Sequence, residues 1–132
     1  MPEAIDQICW QSADALAASL RRRELSSVEL LEQVLARCDA LEEEINPFAL
    51  RLDERARVAA ERADALLARG EGGPLCGVPL TIKDSQWLAG YPAAVGSKAQ
   101  RGFVTEATCA AVERLDDAGA VIFAKTATPE FC

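Results

Sequence analysis

Two lysines, Lys83 and Lys125, each close a short apolar run, Val78–Ile82 and Ala120–Ala124. A lysine at the carboxyl end of a buried strand is a candidate general base, because ligands of open α/β sheets bind outside those ends. Lys83 is the stronger candidate: Asp84 follows it, and then Ser85 to Val104 run without clear periodicity. Loops of that length inside a compact domain are usually functional or disordered. An exposed lysine ionises near 10.4, and a base useful at neutrality needs ~7–8, a shift of roughly three units or about 4 kcal/mol. Burial or a second cation supplies such a shift, whereas a close Asp84 would oppose it. Neighbours on a strand point to opposite faces, so Lys83 and Asp84 need not pair. The plainer alternative for both lysines is a solvated side chain at a strand end.

A base also needs a nucleophile. Ser12 and Ser26 stand where helix caps belong, and Ser97, in a Gly-Ser turn, reads as a turn former. Ser85 shares a face with Lys83 if the strand continues, but i,i+2 residues lie about 6.6–6.8 Å apart along it, beyond hydrogen-bond reach unless the chain turns. The chain contains no histidine, which excludes a Ser-His-Asp or Cys-His nucleophile within it and any histidine-ligated metal. Cys9, Cys38, Cys76, Cys109 and Cys132 are odd in number and lack a C-x-x-C pair, so they read as free thiols in a reducing compartment.

The 132 residues are 50% hydrophobic and 27% charged, an ordinary globular composition with enough chain for one domain. A net charge of −7 argues against a nucleic-acid or anionic-membrane surface. The one basic cluster, Arg21-Arg22-Arg23, sits among acids and fits a helix end. No run approaches the ~20 apolar residues of a membrane span. The start, Met1 to Asp6, has neither the basic end nor the apolar stretch of a signal peptide, so the expected setting is cytoplasmic.

The elements that must position Lys83 follow from local signals. Ser12 caps a first helix with Ala13, Leu16, Ala17 and Leu20 inward. Ser26 and Glu29 form a capping box for a second, with Leu25 and Leu30 as its staple and a stripe through Leu31, Val34, Leu35, Cys38, Leu41 and Ile45. Glu42-Glu43-Glu44 opposes the helix dipole, which predicts fraying before Asn46-Pro47 ends the element. Phe48–Leu52 is a short strand, and Asp53 caps a third helix with Ala59, Ala63, Leu66 and Leu67 inward and Asp53–Arg57 and Arg57–Glu61 pairs outward. Gly70 stops that helix, and Glu71 to Pro74 form a loop. A last helix is expected from Thr105 or Glu106 to Ala118, stopped by Gly119.

Val78–Ile82, that helix and Ala120–Ala124 make a right-handed βαβ unit with parallel strands. Two or three strands leave backbone groups unpaired, which points to the N-terminal part of a larger α/β domain. The expected organisation is one domain portion over 1–132, helical over 1–70 and strand-loop-helix-strand over 74–126.

The stretch from Gly73 to Asp84, then Gly90, Gly96-Ser97, Ala118 to Thr126 and Thr128-Pro129-Glu130-Phe131, resembles the amidase signature family, and Leu25 to Leu30 and Asn46 to Ala49 match its N-terminal helices in order. The resemblance implies the first βαβ part of a mixed, largely parallel sheet. It also implies hydrolysis of amide C–N bonds through a Ser-cisSer-Lys triad without metal or cofactor. Lys83 matches the lysine, which would hold the second serine deprotonated or relay the proton from the nucleophile to the leaving amine. Cys76 stands where members often carry histidine, and Glu106 where they carry aspartate. The two serines and the oxyanion glycines lie beyond residue 132 in the family, so the resemblance implies a chain inactive alone, with a small-molecule amide as the substrate of the complete protein. The amide-hydrolysing component of a tRNA-dependent amidotransferase shares these motifs. A non-catalytic α/β binding or interaction module is the alternative from another class. Open strand edges leave room for a homo-oligomer.

Overall fold

The structure is a computed structural model that describes residues 7–132; the Met1–Asp6 stretch lies outside the described residues. From Ala13 onward the chain forms three helices and a strand: α1 (Ala13–Arg21), α2 (Ser27–Ile45), β1 (Phe48–Arg51) and α3 (Asp53–Ala68). β2 (Pro79–Lys83), a 3-10 turn (Lys98–Gln100), α4 (Ala110–Asp117) and β3 (Val121–Thr126) follow. The sheet order is β1-β3-β2, with β3 antiparallel to β1 and parallel to β2. The mixed α/β class and the parallel β2–β3 pair agree with the sequence reading.

The helix starts are locally encoded. Ser12 Oγ accepts from the Ala15 amide, and the Ser26–Glu29 capping box is complete in both directions. A cap that sequence spacing could not suggest comes from α3, where Asp64 accepts from the Ser27 amide at 2.7 Å and the Val28 amide at 3.2 Å. The staple forms too, with Leu25 packed against the cluster that holds Leu30. Asn46 ends α2 in the left-handed region, at φ 48°.

Four expectations need correction. Glu42-Glu43-Glu44 does not fray: α2 stays helical through Ile45, because Arg51 reaches over from β1 to Glu42 at 2.8 Å and Asp39 at 2.9 Å. Asp53 does not cap α3; the cap position is Leu52, and both Asp53 carboxylate oxygens are taken by the Arg51 guanidinium. Arg57 accordingly pairs with Glu32 of α2 and with Glu54, not with Asp53 and Glu61. The last helix begins at Ala110, since Thr105 is committed to the long loop. Its hydroxyl donates to the Leu88 carbonyl at 2.7 Å, its amide to Tyr91, and its carbonyl accepts from Gly90. Thr108 likewise accepts from the Ala89 amide.

β3 is buried on both faces. Val121, Phe123 and Ala124 pack against Leu31 and Leu35 of α2 and Ala56 and Ala60 of α3. Ile122 packs the other way, with Ile82, Leu52, Val112 of α4 and Leu88 of the long loop. Full burial of a leucine such as Leu30 or Leu31 stabilises by about 1.5–3 kcal/mol. The turn before β2 is seated on the α4–β3 corner, where Leu75 N donates to Ala118 O and Gly77 N to Gly119 O. Gly119, at φ 86°, has no room for a side chain, since a Cβ there would lie 2.8 Å from the Cys76 Cα.

Candidate active site

β2 brings Lys83 to the carboxyl end of the sheet as its last strand residue, in register with Thr126 of β3. Alternation along β2 buries Ile82, exposes Lys83 and buries Asp84. The chain then turns at once, with the Gln86 amide donating to the Lys83 carbonyl at 2.8 Å. Lys83 is thus open, on the side where strand-end sites of α/β sheets form.

Asp84 does not pair with Lys83. Its Oδ1 lies 3.1 Å from Lys125 Nζ, and its Oδ2 accepts from the Val95 amide at 2.8 Å. Lys125 Nζ also donates to the Pro92 carbonyl. Both side chains are closed off from solvent, Lys125 at 0% exposure and Asp84 at 3%. The solvated strand-end reading is therefore corrected for Lys125, which is an internal ion-pair member, while Lys83 keeps its open position.

A register shift separates the two lysines. Leu80 faces Ile122 but Thr81 faces Ala124, so Phe123 is the extra residue of a bulge in β3. Strict alternation from Ile122 would send Lys125 to the α2–α3 face. The bulge instead sets Lys125 opposite Ile82, on the face that also carries Asp84 and is covered by the long loop.

The loop is tied to the segment after β3. Phe131 N donates to Val95 O, and Ser97 Oγ donates to Glu130 Oε1 at 2.8 Å. Ser97 also accepts from the Ala99 amide, which fits its expected turn role. Gly96 passes so close that a Cβ would meet the Thr128 carbonyl oxygen at 2.4 Å. Cys132 stands near Lys83, its thiol held below the ordinary value by hydrogen bonds from Thr128 and then Ser85, with the Lys83 charge adding less. Sequence reading treated Asp84 only as a neighbour of Lys83 and named Thr128 only as part of the Thr128-to-Phe131 run, with no role of its own. The alternation of Lys83 and Asp84 was the available signal for the first; nothing local signalled the second.

Helices on both faces of a mixed sheet, with an open lysine at one strand end and a buried ion pair behind it, define an α/β protein. The chain belongs to the Amidase family, whose model matches residues 29–132. It is 42% identical over 116 residues to a glutamyl-tRNA(Gln) amidotransferase subunit from Methylococcus capsulatus, covering 88% of this chain and 24% of that protein. Over 116 residues it is 40% identical to an amidase of Pseudomonas putida, covering 88% of this chain and 25% of that one. The structure of a fatty acid amide hydrolase shares the fold with a TM-score of 0.88 at 24% identity, over 95% of this chain and 22% of that chain. The chain spans about a quarter of the length of the curated relatives it matches.

Proposed function

We propose that this chain supplies the lysine-bearing part of an amidase that hydrolyses carbon–nitrogen amide bonds, with Lys83 as the base of a Ser-cisSer-Lys triad. The observation that carries the reading is the exposed Lys83 at the carboxyl end of β2, inside the family-matched region. Lys83 takes up the proton of a neighbouring serine. That serine passes a proton from the nucleophilic serine to the leaving amine as the acyl group moves to the nucleophile. Water then releases the acid. Both serines lie outside these 132 residues, so the chain alone carries one of three reacting groups and is inactive. The reaction as proposed draws on no metal and no cofactor, the substrate is a small-molecule amide, and the setting is cytoplasmic.

The test is Lys83→Ala in the full-length protein. Amide turnover falls by about 10²–10⁴-fold with folding intact; rates near the parent's would remove Lys83 from the mechanism. A second reading, one component of a tRNA-dependent amidotransferase, draws support from the 42% identity to the Methylococcus capsulatus protein. Hydrolysis of small amides by the protein alone supports the free amidase. Turnover that appears only with glutamyl-tRNA and companion subunits supports the second reading.

A further inference from the structure

We infer that the buried Asp84–Lys125 pair is a positioning unit for Lys83, fixing the strand end from behind so that the open lysine is presented at one place. The inference rests on the reading of Lys83 as the base.

Stability alone gives no reason for the pair. Replacing a buried ion pair by well-packed neutral side chains is often neutral or stabilising, whereas removing one partner strands a buried charge. What distinguishes this pair is where its bonds go. Asp84 is the residue next to Lys83, and its amide extends the β2–β3 ladder by donating to Thr126 O at 3.0 Å. Its carboxylate holds β3 through Lys125 and the loop through Val95, and Lys125 holds the loop a second time through Pro92. The end of β2, β3 and the Pro92-to-Val95 part of the loop, three pieces of chain, therefore meet on two side chains. The bulge at Phe123 is what delivers Lys125 to that face, and bulges recur where a side chain must be re-aimed. Because Lys83 alternates with Asp84, fixing Asp84 inward sets Lys83 outward. A shift of about 1 Å in a group that must meet its reaction partner can cost on the order of a hundredfold in rate.

The test compares Asp84→Asn, Lys125→Met, the double variant and Lys83→Ala in the full-length protein, measuring Tm, kcat and KM on an amide that the parent hydrolyses. Each single variant of the pair lowers Tm. The double variant, with no stranded charge, regains most of it. Its kcat nevertheless stays about 10–100-fold below the parent's with KM within about twofold, the signature of a lost transition-state contribution. A double variant with parental kcat, or one whose kcat returns along with Tm, overturns the inference and leaves the pair a packing element. Lys83→Ala separates the two failures. If that variant stays active, the base reading itself has failed; if it is dead while the double variant is active, only the positioning role has. Amide hydrogen exchange in the parent provides a measurement independent of any variant folding. The Val95 amide is expected to exchange as slowly as those of β3, and exchange at open-loop rates would overturn the inference.

Discussion

Lys83 and Lys125 are the same residue type near the carboxyl ends of two parallel strands, yet the structure gives them opposite fates. Lys125→Met leaves the Asp84 carboxylate buried without its cation, which costs about 3–5 kcal/mol. Lys83→Ala removes an exposed side chain and changes stability by no more than about 0.5 kcal/mol. Urea denaturation of the two variants checks the contrast, and equal losses would contradict it. The sequence placed both lysines at strand ends correctly. It ranked Lys83 first on the loop that follows it but could not foresee the burial of Lys125, because one inserted residue, Phe123, reverses which face Lys125 occupies, and a bulge leaves no mark on an apolar run such as Val121 to Ala124.

At the scale of elements, what was legible was what is local. The Ser26–Glu29 box depends on residues three apart, and the structure contains it as read. Ser26→Ala should cost about 1 kcal/mol, measured as a lower urea midpoint with unchanged m. The Glu29 carboxyl is held below the ordinary range by the Ser26 amide first and its hydroxyl second. A lowered folded value stabilises above the unfolded pKa and is lost as pH falls through the folded one. The advantage of the parent over Glu29→Ala is therefore full near neutrality and shrinks below about pH 4, which a pair of denaturation series at both pH values measures. Elements fixed by distant partners were not legible. Asp53 has the composition of a cap, but Arg51 claims both its oxygens; Thr105 has the look of a helix start, but Leu88 and Tyr91 hold it in the loop. Arg51 also holds the acidic end of α2, and Arg51→Met should let residues 42–45 exchange their amides faster without unfolding the helix start.

For the whole molecule, the family and the α/β class were legible because several motifs keep their order from Leu25 to Phe131, and the match over residues 29–132 agrees. The antiparallel pairing of β1 with the centre strand was not, since four residues between two helices carry little pattern of their own. Among the described residues, no helix is long and apolar enough to cross a membrane. Purified 1–132 is expected to release no amine from amides under conditions where the full-length protein does, and serine-dependent turnover by the short chain would contradict the division of the triad proposed above.

The seat of the β2 turn on the α4–β3 corner has one more consequence. Cys76 is buried beneath that seat, 2% exposed, and burial pushes its thiol up, so a reagent that needs the thiolate is doubly excluded. Alkylation of Cys76 then requires the Gly73–Gly77 turn to lift away from Ala118 and Gly119. Its rate, set against that of the exposed Cys132 in the same tube, is a clock for local opening. The turn that leads into the strand of Lys83 thus carries a native chemical reporter, and the opening of that turn can be followed without adding a label.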